Sequence, residues 1–172
     1  MEVIIKTYKQ TVPAMRFIGK KYNAAGGDWG NYGEWFGNNW FGIIEKAAGG
    51  AETVRQLYED GGAYINMLLR DKDSKPLEFW IGIFVAPGTE VPNGFFSMDF
   101  PAQNLGVCWI YGNNIKFYKI LEECKQKIKD EGLELIYQND GSYWALERDS
   151  CPRYTTPDEK GNIIADYCFF VK

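Results

Sequence analysis

Residues 105–130, LGVCWIYGNNIKFYKILEECKQKIKD, contain the two patterns that decide the fold. Residues 105–111 are rich in aromatic and β-branched side chains that alternate along the chain, which predicts a strand. Asn113 or Asn114 then supplies a suitable helix cap. Beyond the cap, apolar residues recur at helical spacing, which predicts a helix over residues 115–130. A strand followed at once by an amphipathic helix is a unit of α+β architecture.

The same succession of strand, helix, strand and strand occurs in both halves of the chain. In the first half the patterns predict a helix over 34–48, with Phe36, Trp40 and Ile43 on its buried stripe, and strands over 3–8, 15–20, 63–69, 77–85 and 95–100. The second half adds strands over 105–111, 133–137, 143–148 and 163–171. We therefore expect one α+β domain, residues 1–172, built from a duplicated repeat of about 1–100 and about 104–172. The strands should form one antiparallel sheet, with two main helices on one face and a ligand cleft on the other.

The composition excludes several classes of function. Aromatic residues make up 16% of the chain and His is absent, so there is no Ser-His-Asp or Cys-His nucleophile pair and no His-containing zinc site. The formal charge is -4, and no stretch concentrates basic residues, so we expect no direct binding to nucleic acid. The glycine-rich segment 26–30 lacks the pattern of a phosphate-binding loop. We expect no cofactor and no metal.

The cysteines and the hydropathy pattern predict a cytoplasmic protein. The four Cys residues show no C-x-x-C pairing and lie in apolar stretches, which is typical of reduced, buried thiols. The N-terminal segment has no long apolar core of the kind that a signal peptide or a membrane span requires. We therefore expect no membrane association.

The alternation of side chains along the strands predicts which residues bind a ligand. In the strand over 77–85, one set of side chains, which includes Phe79, should face the helices, and Trp80, Gly82 and Phe84 should face the open side of the sheet. Gly82 would make room between two large rings. The same reasoning adds aromatic residues from two later strands and one carboxylate, so the candidate binding residues are Trp80, Phe84, Trp109, Tyr111, Tyr143 and Glu147.

Glu147 is the candidate with a distinct chemistry. It follows the apolar run Tyr143-Trp144-Ala145-Leu146, and a carboxylate on an apolar strand costs free energy unless a charge offsets it. Arg148 should point to the opposite face, which leaves a cationic ligand among aromatic rings as one partner. The alternative is that Glu147 lies at a sheet edge in water or pairs with a Lys or Arg from elsewhere in the chain.

The sequence also resembles a known family. The matching parts are residues 80–93 with Val-Ala-Pro-Gly-Thr-Glu-Val-Pro, the tail Leu-Glu-Arg at 146–148, Cys-Pro-Arg-Tyr-Thr-Thr-Pro-Asp at 151–158, and the last strand Asp-Tyr-Cys-Phe-Phe-Val at 166–171. They resemble the GyrI-like effector-binding domains, which are related to the C-terminal ligand domains of AraC-type and MerR-type multidrug-responsive activators. The resemblance implies a two-repeat α+β fold with a central cleft for hydrophobic, often cationic, small molecules. It places the cleft glutamate of that family at Glu147.

Three functional hypotheses follow from the resemblance. No helix-turn-helix segment fits before the first strand, so the first hypothesis is a free-standing domain that binds a small hydrophobic or cationic molecule. The second is a hydrolase of cyclopropane-bearing toxins, in which Glu147 orients water and Tyr143 or Tyr111 assists as an acid. The third is a protein-protein role, either with DNA gyrase or beside a separate DNA-binding regulator.

Overall fold

The computed structural model describes residues 2–24 and 30–172, so most of the glycine-rich segment 26–30 lies outside the described residues. The fold is α+β, as predicted. In chain order its elements are β1 (Val3–Val12), β2 (Met15–Tyr22), α1 (Gly30–Gly37), α2 (Trp40–Ala47), α3 (Ala51–Arg55), β3 (Tyr64–Arg70), β4 (Pro76–Val85), β5 (Phe96–Phe100), β6 (Gln103–Gly112), α4 (Phe117–Asp130), β7 (Tyr143–Asp149) and β8 (Ile163–Val171).

All eight strands form a single antiparallel sheet in the order β1-β6-β8-β7-β3-β4-β2-β5. The two central strands, β3 and β7, each follow the helical part of their half of the chain. From each of them the order outward is the same: first the strand that follows it in the chain, and then the strand that precedes the helical part. These are β4 and β2 on one side and β8 and β6 on the other. This arrangement matches the duplicated succession predicted from the sequence.

Two short links force the sheet to curl. β1 and β2 are six positions apart in the sheet order, which is roughly 29 Å in a flat sheet. Only Pro13 and Ala14 join them, and a link of that length spans about 11 Å at most. Pro101 and Ala102 join β5 to β6 in the same way. The two ends of the sheet must therefore approach each other.

The curl encloses the sheet face that lies away from the helices, which we call the inner face. Buried side chains from β1, β2, β3, β4, β6, β7 and β8 form one cluster there. Phe100 of β5 stacks on Phe170 of β8 with ring centroids 5.1 Å apart, although the two strands are far apart in the sheet order. The prediction of an open cleft on this face is corrected: the curl fills the face with hydrophobic core.

A buried ionic network holds the inner face at one end. Arg148 of β7 is 1% exposed, and its Nε donates a hydrogen bond to Asp166 Oδ2 of β8 at 2.8 Å. Its Nη1 donates to Gln10 Oε1 of β1 at 2.8 Å. Arg153 joins Asp166 to Asp60 through bonds of 2.6 and 2.7 Å. The partners of Arg148 thus lie on the side opposite Glu147, as the alternation of β7 predicted.

The opposite face, which we call the helix face, carries two separate groups of helices. α4 packs Ile120, Leu121, Cys124 and Ile128 against the half of the sheet that contains β6 and β8. α1 to α3 pack Trp35, Phe41, Ile44 and Val54 against Phe79, Ile81, Ile83 and Val85 of β4. The predicted side-chain phase of β4 is therefore confirmed.

Two predicted elements differ in the structure. The helix predicted over 34–48 is two helices, because Asn39 adopts a left-handed conformation with φ 52° and breaks the periodicity. As a result Phe36 and Ile43 are 58% and 41% exposed. Residues 133–137, predicted to be a strand, contribute only an isolated bridge between Leu135 and Val171.

Gly82 allows a close approach of two strands and does not make room for a ligand. It pairs with Gly19 of β2, and a Cβ at Gly82 would collide with the carbonyl oxygen of Ile18 and lie 2.7 Å from Cζ of Phe17. We expect Gly82→Ala to lower the free energy of unfolding by about 1 to 3 kcal/mol, because backbone cannot yield as a flexible side chain does. Urea denaturation measures the change.

Gly33→Ala is the matched control. A Cβ at Gly33 meets nothing within 4 Å, and Ala favours a helix over Gly by about 1 kcal/mol at most. We therefore expect this variant to be as stable as the parent or slightly more so. Equal stability of Gly82→Ala and the parent would show that β2 and β4 are not packed at this distance.

Candidate functional site

A cavity of about 470 Å³ lies on the helix face, between the two groups of helices and above the central strands. Its volume is in the range of sites for drug-sized ligands. Its walls come from the segment before α1, α1, β3, β4, the start of α4, β7 and the segment after β7. The lining residues are Ala24, Tyr32, Asn66, Leu68, Arg70, Pro76, Phe79, Asn114, Ile115, Lys116, Phe117, Tyr118, Glu147, Asp149 and Tyr154.

Glu147 stands near the middle of the sheet in this cavity. On β7 it is opposite Asn66 of β3 on one side and Tyr167 of β8 on the other. Asn66 Nδ2 donates a hydrogen bond to Glu147 Oε2 at 3.0 Å, and the Tyr32 hydroxyl of α1 donates to Asn66 Oδ1 at 2.6 Å. This chain of hydrogen bonds fixes the Asn66 amide so that it offers a donor to the carboxylate.

The surroundings of Glu147 disfavour its charge. Removal from bulk water raises the pKa of Glu147, and the Asn66 hydrogen bond and the positive charge of Arg70 lower it by a smaller amount. The resulting pKa is about 7. Part of the Glu147 side chain remains accessible, and that part lines the cavity. Among the described residues, no Lys or Arg forms an ion pair with it. The carboxyl group is therefore available to a ligand.

A second carboxyl group lies beside Glu147. Asp149 is two residues further along β7, which places it on the same face, and it also lines the cavity. It is 6% exposed. Burial raises its pKa well above the usual value, and the negative charges of Glu147 and Asp166 raise it further.

Aromatic side chains supply much of the remaining cavity surface. Tyr32 of α1, Phe79 of β4, Phe117 and Tyr118 of α4, and Tyr154 of the tail all line it. Burial raises the pKa of Tyr154, and the charges of Asp149 and Glu147 add to the increase. Aromatic faces with nearby carboxyl groups form a setting that attracts a cation.

Of the residues predicted to bind ligand, only Glu147 lines this cavity. Trp80 and Phe84 belong to the core of the inner face, and Trp109 packs against that core with Tyr8. The cause is the curl of the sheet, which turns these rings into core.

The two tyrosines predicted to act as acids also lie elsewhere. The hydroxyl of Tyr143 donates to Ser74 Oγ at 2.8 Å, and Tyr143 is buried in the core beneath α4. Tyr111 is hydrogen-bonded to Asp158. The structure does not bring Tyr111 or Tyr143 into the cavity that contains Glu147.

Most of the cavity wall was not predicted from the sequence, including Tyr32, Asn66, Phe79, Asp149 and Tyr154. Asp149 had a usable signal, because alternation along β7 puts it on the face of Glu147. Phe79 was correctly assigned to the helix face. A prediction that put the cleft on that face would have included Phe79 in its wall. Tyr32 and Asn66 reach the cavity through long-range packing, for which the sequence has no local signal.

The described part of the chain holds neither a cluster of metal-ligating side chains nor a helix able to cross a membrane. Across residues 2–24 and 30–172, no group of three or more Cys, Asp or Glu side chains is placed to hold a metal ion. In the same ranges, no helix has both the length and the apolar character needed to cross a membrane.

Comparison with known proteins gives matches only at the level of structure. No family model and no curated protein matches the sequence. The chain is similar to EcmrR in a DNA complex solved by cryo-electron microscopy, with a TM-score of 0.59 and 15% identity over 97% of this chain. It spans 57% of that EcmrR chain.

Two smaller proteins match over nearly their whole length. One is a transcription regulation protein from Staphylococcus aureus MU50, with a TM-score of 0.56 and 11% identity over 97% of this chain and 98% of that one. The other is SAV2435 bound to tetraphenylphosphonium, with a TM-score of 0.56 and 14% identity over 98% of this chain and 94% of that one. At these identities the comparisons show a shared fold.

The raised pKa of Glu147 makes a prediction about stability. The folded pKa exceeds the unfolded one, so ionisation costs the folded state nothing at low pH, and the cost grows as pH rises from about 4.5 through 7. We expect Glu147→Gln to raise the free energy of unfolding at about pH 8 by about 1 to 2 kcal/mol and to have little effect at about pH 4. Chemical denaturation at both pH values measures this, and a destabilised variant at the higher pH would contradict it.

Proposed function

We propose that the protein is a small-molecule binding domain of the GyrI-like effector-binding kind, whose cavity takes a hydrophobic cation. The observation that carries this proposal is Glu147, a carboxyl group near the centre of the sheet and among aromatic rings. Within residues 2–24 and 30–172 it accepts one hydrogen bond from Asn66 and forms no ion pair. Such an arrangement costs the empty protein stability. A bound cation would offset that cost.

The composition of the cavity supports a ligand that is both apolar and charged. Leu68, Phe79, Ile115 and Phe117 give apolar wall, and Tyr32 and Tyr154 add rings with polar tips. Each aromatic face contributes about 0.5 to 2 kcal/mol to the binding of a cation, and more when water is excluded. The shared fold of SAV2435, whose structure contains tetraphenylphosphonium, adds support from outside the chain.

The hydrolase hypothesis loses the two tyrosines that it named as acids. Tyr143 donates to Ser74 and Tyr111 is bonded to Asp158, so neither hydroxyl lies in the cavity with Glu147. A protein-protein role with gyrase or a separate regulator gains no support from the cavity itself.

Tetraphenylphosphonium is a suitable probe. We expect it to bind the parent protein in isothermal titration calorimetry and to bind Glu147→Gln at least about tenfold more weakly, because loss of a charge-assisted contact costs about 1.4 kcal/mol or more. Glu123→Gln removes the same charge from an exposed site on α4 and should leave the affinity unchanged. Equal affinity of Glu147→Gln and the parent would remove Glu147 from the proposed site.

The pH dependence of binding provides a separate test. Tetraphenylphosphonium carries a permanent charge, so only the protein titrates. The pKa of Glu147 is about 7 in the empty protein, so the carboxyl group becomes ionised as the pH rises through this value. The affinity of the protein for the cation should therefore rise between about pH 6 and pH 8 and then level off. This rise should be much smaller in Glu147→Gln. A parent protein whose affinity is constant over this interval would contradict the proposal.

A further inference from the structure

Asp149 is a second carboxyl group in the cavity. It has no role when Glu147 binds a single cation. It is 6% exposed and lines the cavity. Within residues 2–24 and 30–172, no hydrogen bond and no ion pair reaches its side chain. Its charged neighbours are Glu147 and Asp166, both of which are acidic. A buried carboxyl group without a donor is costly unless a ligand supplies one.

The position of Asp149 relative to Glu147 sets the geometry of such a ligand. The two residues are separated by two positions on one strand, so their side chains leave the same face about 6 to 7 Å apart at the backbone. Glu147 uses one carboxyl oxygen to accept the Asn66 hydrogen bond. The other oxygen of Glu147 and both oxygens of Asp149 take no hydrogen bond from the described residues.

The basic residues of the cavity do not take the place of a ligand at Asp149. The positive charge of Arg70 lowers the pKa of Glu147. The Nη1 of Arg70 donates a hydrogen bond to the Ser74 carbonyl oxygen at 2.9 Å. Lys116 is exposed to solvent beside the start of α4. Neither residue forms an ion pair with Asp149.

We propose that the preferred ligand carries two protonated nitrogens on one apolar frame, and that Glu147 binds the first nitrogen and Asp149 the second. This inference rests on the proposed function and narrows it from hydrophobic cations to hydrophobic diamines. A diammonium ligand supplies N–H donors to both carboxylates. A quaternary or phosphonium cation has no N–H group and leaves Asp149 without a donor.

A pair of probes of matched shape tests the inference. In para-bis(aminomethyl)benzene two ammonium groups flank one ring, and in para-ethylbenzylamine a methyl group replaces one of them. We expect the parent protein to bind the diamine at least about tenfold more tightly in calorimetry, since a hydrogen bond to a charged group is worth about that factor or more. Equal affinity for the two probes in the parent protein would overturn the inference without any variant.

Variants then assign the second nitrogen to Asp149. In Asp149→Asn the preference for the diamine should fall to about twofold or less, and tetraphenylphosphonium should still bind. Asp149→Ser serves the same purpose if the Asn variant does not fold, and Glu123→Gln controls for net charge. If Asp149→Asn keeps the parent's preference for the diamine, the assignment of the second nitrogen to Asp149 is overturned.

The two proposals fail in different ways. If tetraphenylphosphonium binds in a Glu147-dependent manner but the diamine shows no preference, the diamine inference is wrong and the proposed function stands. If neither tetraphenylphosphonium nor the diamine binds, both are wrong.

Discussion

The curl of the sheet is the constraint on which the rest of the structure depends. The links at Pro13-Ala14 and Pro101-Ala102 are too short to cross a flat eight-stranded sheet, so the sheet must curl until its ends come close to each other. The curl buries one face as a continuous core. Helices can then pack only on the other face, where they form two groups with the cavity between them.

This division explains why neighbouring residues of β7 have such different surroundings. Arg148 points to the inner face, where Asp166 and Gln10 bind its guanidinium. Glu147 and Asp149 point to the cavity, where one hydrogen bond from Asn66 is the main compensation. Among the described residues, the charge on one side of the strand is thus paired, and neither carboxyl group on the other side forms an ion pair. Because burial raises the pKa of Glu147, ionisation of this carboxyl group costs the folded state stability.

Local patterns made the strands, the α4 helix and the alternation of β4 and β7 predictable, because each depends on a few neighbouring residues. Glu147 could be singled out since a carboxylate interrupts an apolar strand. The location of the cleft could not be predicted, because it depends on how far the sheet curls, and that follows from the order of distant strands. Trp80 and Phe84 were assigned to the correct face, but the curl makes that face core. The break at Asn39 was also hidden, since one left-handed residue shifts the phase of a helix without altering its composition.

The sheet order also has a consequence for how the chain acquires its structure during synthesis. Within the part of the chain that the structure describes, β1 pairs with β6 alone, and the contact of Thr7 with Cys108 joins residues 101 positions apart. β3 likewise lacks one neighbour until β7 is available. The first half emerges from the ribosome with β1 and one edge of β3 still without these partners, and such edges invite pairing with other chains. A fold of this topology therefore gains from a second half that follows without a long pause, because the first half cannot close its own sheet.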